Sequence, residues 1–284
     1  MKITRRTPTP HPFLKWVGGK GQLLQTLHAH FDEAGATGRY HEPFIGGGAF
    51  FFSLYRKGLL GRKQAMLSDN NARLVEAYQC IQENVDGVIR HLKKHKTKHE
   101  HDYYYATRAE VPTTAIARTA RLIYLNKTCF NGLYRENSKG GFNVPMGRYK
   151  NPRICDEENL YEVSTALQRH KIQHQHFAVV RETAAPGDFV YFDPPYWPVS
   201  DTASFTAYHQ DGFGENGQRL LANVVEDLTA KGVYVLLSNS MTPLIQDLYK
   251  AYTIEDVQAT RMVNSNAKKR GKISEALVNN FAQV

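Results

Sequence analysis

The chain has 284 residues, 42% of them hydrophobic and 22% charged, with three cysteines and a formal net charge of +9. A chain of this length buries roughly 75% of its unfolded surface, so it needs neither a metal nor a disulfide staple, and large-scale disorder is excluded. Cys80, Cys129 and Cys155 form an odd set without a CxxC pair, the apolar runs are short and broken by glycine, and Met1–Pro10 has no apolar core. The expectation is a reduced, cytoplasmic protein with no membrane span and no secretion signal.

Along the chain, short apolar runs alternate with helical patterns, which predicts an α/β fold. Tyr40–Ile45 is the first strand-like run, followed at once by Gly46-Gly47-Gly48 and a helix-forming stretch from Ala49 to Tyr55. Gln64–Ser68 is the second strand. Between Val85 and Arg153 no buried strand is evident, basic and aromatic residues interleave, and Gly, Asn and Pro become dense after Phe130. That pattern predicts a helical insertion ending in an ordered, hairpin-like loop. Inside it His91, His95 and His99 recur at helical spacing among Lys93, Lys94, Lys96 and Lys98. A metal prefers acidic or thiolate company, so a solvated basic helix is expected there. Strands are expected again at Ile172–Val180, Phe189–Asp193 and Tyr234–Asn239, then a helix at Pro243–Ala251. A closing hairpin of Tyr252–Arg261 with Ile273–Phe281 gives a mostly parallel sheet an antiparallel edge. The expected division is 1–84 and 156–284 as two parts of one sheet domain, with 85–155 inserted between them.

The positive charge is localised. Residues 108–153 carry nine basic and two acidic side chains, residues 261–272 carry five basic and no acidic ones, and the remainder of the chain is net −3. Such concentration suits a polyanion, and a solvated basic face gives the same signature.

Two motifs carry chemistry. The Gly46–Gly48 turn between a strand and a helix lets the backbone approach a ligand, and Asp69, 23 residues after Gly46 at the end of the second strand, is placed to accept both hydroxyls of a ribose. The dinucleotide pattern GxGxxG fails at Phe51, which favours an adenosine over a pyrophosphate. Gly18-Gly19-Lys20-Gly21 lacks both a preceding strand and the Ser or Thr of a phosphate loop. The second motif is Phe189-Val190-Tyr191-Phe192-Asp193-Pro194-Pro195-Tyr196, an apolar strand ending in an acid, two prolines and a ring. The prolines remove two donors and force an extended exit, leaving carbonyls beside a carboxylate. A site rich in acceptors suits an amine substrate.

Asp193-Pro194-Pro195-Tyr196 resembles the catalytic motif of methyltransferases acting on the exocyclic amines of nucleic-acid bases. With the glycine turn before it and the basic insertion between, the order resembles the alpha group of DNA N6-adenine methyltransferases, the Dam family. Phe13-Leu14-Lys15-Trp16-Val17-Gly18-Gly19-Lys20 resembles its N-terminal motif. Asn131-Gly132-Leu133-Tyr134-Arg135 and Phe142–Tyr149 resemble its target-recognition loop, and Ser204–Tyr208 and Arg270–Glu275 also fit. The resemblance covers nearly the whole chain. It implies a Rossmann-like methyltransferase sheet with an inserted target-recognition domain, S-adenosylmethionine as donor with S-adenosylhomocysteine as product, no metal, and double-stranded DNA as partner, read at GATC. No obligate protein partner is implied, though a functionally paired restriction endonuclease fits.

By the same resemblance Asp193, Pro194, Pro195 and Tyr196 are catalytic, with Phe192 or Trp197 as walls of the base pocket. Trp16, Lys20, Gly46, Gly48, Asp69 and Asp193 bind the cofactor. Lys15, Asn131, Leu133, Arg135, Pro145 and Tyr149 read bases, and Phe130 fills the gap left by a flipped base. Lys150 and Arg270 contact DNA. Phe205 and Tyr208 are either pocket residues or parts of an ordered loop. The competing readings are an amino-methyltransferase of cytosine N4 or RNA adenine, a dinucleotide-dependent oxidoreductase that leaves the two prolines unexplained, and a DNA-binding module that has lost activity.

Overall fold

A computed structural model describes residues 9–16, 20–137, 140–199, 213–260 and 272–284. The expectations at Gly18, Gly19, Ser204–Tyr208 with Phe205, and Arg270, and most of the basic run 261–272, lie outside the described residues.

The strands are β1 (Tyr40–Glu42), β2 (Ala65–Asp69), β3 (Lys171–His174), β4 (Phe189–Phe192), β5 (Tyr234–Ser240), β6 (Thr253–Thr260) and β7 (Lys272–Asn279). They form one seven-stranded sheet in the order β3-β2-β1-β4-β5-β7-β6. β1 is parallel to β2 and β4, and β4 is parallel to β5. β7 is antiparallel to both β5 and β6, so the expected α/β sheet with an antiparallel edge is the observed one. The helices are α1 (Leu24–Ala34), α2 (Ala49–Arg56), α3 (Ala72–Thr97), α4 (His101–Ala109), α5 (Ala115–Thr128), α6 (Glu157–Leu167), α7 (Val180–Thr183), α8 (Glu215–Ala230) and α9 (Pro243–Leu248).

Two expectations of regular structure are corrected. β1 stops at Glu42 rather than Ile45, because Pro43 has no N–H to give the ladder. The run Ile172–Val180 is a strand only through His174; Phe177–Val179 is a 3₁₀ turn and Val180 opens α7. The His176 ring accepts from Ala178 N at 3.3 Å, and Phe177 turns inward to stack on Phe44 with centroids 5.2 Å apart. A Phe-Ala-Val-Val cluster has the composition of a strand, and a local turn with one buried ring overrides it.

By internal contacts the chain divides into two compact units. One comprises Met1–Lys20, Gly46–Gly61 and Asn71–His174; the other comprises Gly21–Ile45, Arg62–Asn70 and Gln175–Val284. The core of the second unit alternates along its strands as a period of two requires. Val190 and Phe192 of β4, Val235 and Leu237 of β5, and Ala276 and Val278 of β7 share one buried cluster. Leu221, Val224, Val225 and Leu228 of α8 complete it, spaced as one helical face. Phe192 is 0% exposed there, so of the two expected wall residues it belongs to the core, while Trp197 stays half-buried.

The first unit packs α3 against α5 through Tyr78, Ile81, Leu92, Ile123 and Tyr124, all buried. Asn71 caps α3 by accepting from Arg73 N and Leu74 N. The expected solvated helix of histidines is half corrected. Lys93, Lys94, Lys96 and Lys98 are exposed, but His95 stacks on Tyr124 with centroids 4.7 Å apart and its Nδ1 meets the Tyr103 hydroxyl at 2.8 Å. His99 Nδ1 lies 3.0 Å from the Tyr124 hydroxyl. Burial lowers the pKa of His95 to about 4, so the ring is a neutral packing element.

Candidate active site

The acceptor-rich motif lies in the second unit, directly after β4. Asp193 and Tyr196 are half-buried, Pro194 is buried and Pro195 exposed. This is the carboxyl end of a parallel strand, where open α/β sheets bind ligands. Asp69 occupies the corresponding end of β2, and its carbonyl accepts from Gln175 N at 3.2 Å. The Ile45 N–H bonds the neighbouring Ser68 carbonyl at 3.0 Å.

A buried polar relay fixes the motif. Asn239, 0% exposed at the end of β5, accepts from Trp197 N at 3.0 Å and from Ser240 N at 2.9 Å. Its oxygen is committed to two backbone donors, so its Nδ2 faces Gln218 and donates to Oε1 at 3.0 Å. Gln218, also 0% exposed, is thereby oriented to donate from Nε2 to the Pro195 carbonyl at 2.9 Å. Ser240 Oγ donates to the Trp197 carbonyl. One side-chain amide thus accepts from the backbone just after the prolines and the other donates to a proline carbonyl.

Tyr196 donates its hydroxyl to Glu275 Oε2 at 2.9 Å. Its pKa is well above the ordinary phenol value because of burial, with the charge of Asp193 next. The same carboxylate helps raise buried Tyr191 and Tyr40, after burial in the first and after burial and Glu42 in the second. Tyr40 donates to Glu42 Oε2 at 2.6 Å, and Tyr191 shares a hydrogen bond with Ser238 Oγ at 2.9 Å. These three phenols stay neutral at physiological pH.

The glycine turn and the loop that follows α5 lie in the first unit, apart from the start of the turn's strand. Gly46 and Gly48 have φ of 48° and 69°, a region that favours glycine. A Cβ on Gly46 would stand 2.9 Å from Trp16 Cδ1, and one on Gly48 would stand 2.7 Å from the Tyr78 hydroxyl, which itself donates to the Gly46 carbonyl at 3.0 Å. Only a glycine backbone lets the Trp16 indole lie this close. Lys20 is 6% exposed.

The loop after α5 begins with a 3₁₀ turn, Phe130–Gly132, in which Asn131 (φ 55°) is the non-glycine residue with positive φ among the described residues. Asparagine tolerates that region, and Gly132 must follow because a Cβ there would stand 2.4 Å from Lys15 Cδ. Phe130 N donates to the Pro145 carbonyl at 2.9 Å and Asn143 N to the Arg135 carbonyl at 3.0 Å, closing an ordered hairpin-like loop. Phe142 and Val144 point inward, whereas Phe130, Asn131, Arg135, Pro145, Tyr149 and Lys150 are exposed, as is Lys15; Leu133 is half-buried. Lys15 Nζ sits 4.1 Å from the Tyr149 ring centroid, and Arg135 Nε donates to Asn143 Oδ1 at 2.7 Å. Buried Asn126 joins Lys15 to this loop, accepting from Lys15 N at 2.7 Å and donating to the Lys15 and Gly132 carbonyls at 2.8 and 3.0 Å.

Gln218, Asn239, Asn126 and Tyr134 were not singled out as functional positions in the sequence. Asn239 had a faint signal, a polar end to an apolar strand, and Glu275 ends a segment that fits the family; an interior helical glutamine gives none. Among the described residues no cluster of three His, Cys, Asp or Glu side chains has metal-binding geometry, and no helix is long and apolar enough to cross a membrane.

Comparison with known proteins agrees with this chemistry. Residues 16–263 match the family described as D12 class N6 adenine-specific DNA methyltransferase. A type II methyltransferase of Lactococcus lactis subsp. cremoris is 40% identical over 278 residues, covering 95% of each chain. A type II methyltransferase of Methanocaldococcus jannaschii is 39% identical, covering 95% of this chain and 99% of its own. The DNA adenine methylase of Escherichia coli K12 is 33% identical, covering 93% of each. Of the readings open in the sequence, adenine and DNA are therefore the base and the polymer, and the chain belongs to the D12 class of N6 adenine-specific DNA methyltransferases.

Proposed function

We propose that the protein transfers a methyl group from S-adenosylmethionine to the N6 of adenine in duplex GATC, after flipping the base out of the helix. The observation that carries this reading is the relay-held Asp193-Pro194-Pro195-Tyr196 exit at the carboxyl end of β4.

The N6 lone pair of adenine is delocalised into the ring, so the amine is a poor nucleophile. The Asp193 carboxylate and the Pro194 carbonyl accept its two hydrogens, which favours a pyramidal nitrogen with its lone pair directed at the methyl group. Tyr196, kept neutral and tethered to Glu275, presents a ring face on which the extruded base stacks. Positioning and fixed dipoles supply the rate, without a covalent enzyme intermediate.

The residues fit the proposed cofactor. The Trp16 indole against the Gly46 turn offers a flat apolar contact for an adenine, Asp69 a carboxylate for ribose hydroxyls, and Lys20 and Asp193 further polar contacts. When bound, S-adenosylmethionine supplies the electrophilic sulfonium methyl.

On the DNA side, Lys15, Asn131, Leu133, Pro145 and Tyr149 read base edges, and Phe130, 51% exposed, fills the gap in the stack. Arg135, its guanidinium plane fixed by Asn143, makes the bidentate guanine contact. Lys150 and Arg270 add phosphate contacts, which help offset the few kcal/mol that flipping costs. The insertion 85–155 is the target-recognition domain on this reading. The type II relatives favour a restriction endonuclease of the same target as functional partner.

The test is incubation with labelled S-adenosylmethionine and plasmid DNA, with mapping of the modified base. N6-methyladenine confined to GATC is expected, with transfer abolished and duplex binding retained in Asp193→Ala. Normal turnover by that variant removes the proposed role of Asp193.

A further inference from the structure

The Trp16–Tyr134 stack joins two surfaces that the proposed function gives to different ligands. Leu133 is extended (φ −69°, ψ 144°), and side chains on an extended backbone alternate in direction. Arg135 is exposed, while Tyr134 and Glu136 are half-buried. The Tyr134 ring stacks on the Trp16 indole with centroids 5.4 Å apart and planes 29° from parallel. Its hydroxyl donates to Glu136, which Arg73 pairs at 2.6 Å. Trp16 in turn covers Gly46 and Gly47, where added Cβ atoms would stand 2.9 and 3.1 Å from it. One aromatic pair therefore touches the glycine turn on one side and backs the segment that carries Leu133 and Arg135 on the other.

The base of the loop is anchored separately. Asn126 holds the Gly132 carbonyl at 3.0 Å, and Phe130 N bonds the Pro145 carbonyl at 2.9 Å. Loss of the Tyr134 ring would loosen the reading segment without detaching the loop.

We propose that Tyr134 is a positioning residue that couples the cofactor contact at Trp16 to the DNA-reading segment, so that cofactor and cognate duplex bind with positive cooperativity through this stack. The inference rests on Trp16 being a cofactor contact. A ligand that orders the indole also orders the ring stacked on it, and the second ligand then meets a segment that has already lost its freedom. Linkage requires the same factor in both directions.

The test is a closed binding cycle on the full chain by titration calorimetry. S-adenosylhomocysteine is titrated with and without a duplex carrying one GATC, and the duplex with and without S-adenosylhomocysteine. The wild-type protein is expected to show a tightening of about tenfold in both directions. Tyr134→Leu reduces that factor to within about twofold of unity, and Tyr134→Phe, which keeps the ring, retains it. Tyr134→Met carries the same test if Tyr134→Leu does not fold. A wild-type factor of one, or an unchanged factor in the variant lacking the ring, overturns the proposal. Trp16→Ala separates it from the reading beneath. Undiminished affinity for S-adenosylhomocysteine removes Trp16 from the cofactor site and both ideas with it. Weakened affinity, together with intact coupling in Tyr134→Leu, refutes the coupling alone.

Discussion

Gln218→Met is the sharpest probe of the site, because it alters a side chain that touches neither base nor cofactor on the proposed reading. Methionine keeps the length and most of the volume, so the cavity term is small. Two polar groups lose their partner, and they differ in consequence. Pro195 is exposed, so its carbonyl recovers water at little cost. Asn239 is 0% exposed, so its Nδ2 is stranded, at about 1–3 kcal/mol. At about 2–4 °C per kcal/mol for domains approaching this size, melting should fall by roughly 2–12 °C. The effect on turnover has another origin: the Pro195 carbonyl loses its tether, and a displacement of about 1 Å costs on the order of a hundredfold in rate. Single-turnover methylation at saturating cofactor, alongside thermal melting, separates the two. Melting unchanged within 1 °C or so and a rate within about twofold of wild type for Gln218→Met would refute the relay as the device that positions the motif.

Two further outcomes are expected. Arg135→Ala should relax discrimination at one guanine by about 10- to 100-fold, judged from methylation rates on single-base variants of GATC; equal losses on every sequence would make it a phosphate contact. Stability should fall with acid through the first unit's histidines. Burial holds the His170 pKa at about 4 against 6.5 in the unfolded chain, so the unfolded state binds more protons in that interval. The contribution is complete above pH 6.5 and lost as pH falls towards 4. With His170 5% exposed, the loss is on the order of 3 kcal/mol. Denaturant melts of His170→Gln against wild type should converge across that window, and a constant difference between them would exclude the mechanism.

The sequence is legible where chemistry needs neighbours along the chain. The glycine turn, the Asp-Pro-Pro-Tyr exit and the recognition loop each occupy a few consecutive residues whose backbone rules are local: positive φ at Gly46, Gly48 and Gly132, and missing donors at Pro194 and Pro195. What holds these pieces is not local. Gln218 lies on a helix 23 residues from Pro195, and Asn126 reaches Lys15 across 111 residues. A polar residue within an amphipathic pattern leaves no periodic mark that separates a buried relay from a solvated face. The histidine series along and just after α3 fails for the same reason, since the lysines meet water while His95 and His99 meet Tyr103 and Tyr124, which the spacing cannot reveal.

The contrast between Asp188 and Asp193 shows what the structure adds to composition. Both flank β4, and sequence alone gives neither precedence as a buried acid. Burial would raise the pKa of Asp188, but a hydrogen bond from His41 and the N–H groups of Ala185 and Arg39 outweigh it and hold the group at about 2. Its oxygens meet His41 Nε2 at 2.8 Å, Arg39 N at 2.6 Å and Ala185 N at 3.0 Å. A carboxylate so encircled by donors at the amino end of a parallel strand is a brace between β1 and its neighbours. Asp193 stands at the opposite end of β4, followed by two residues that have no N–H. Strand polarity, rather than burial or charge, separates the two acids: one braces the amino end of the strand, and the other stands at the carboxyl end, where open α/β sheets bind ligands.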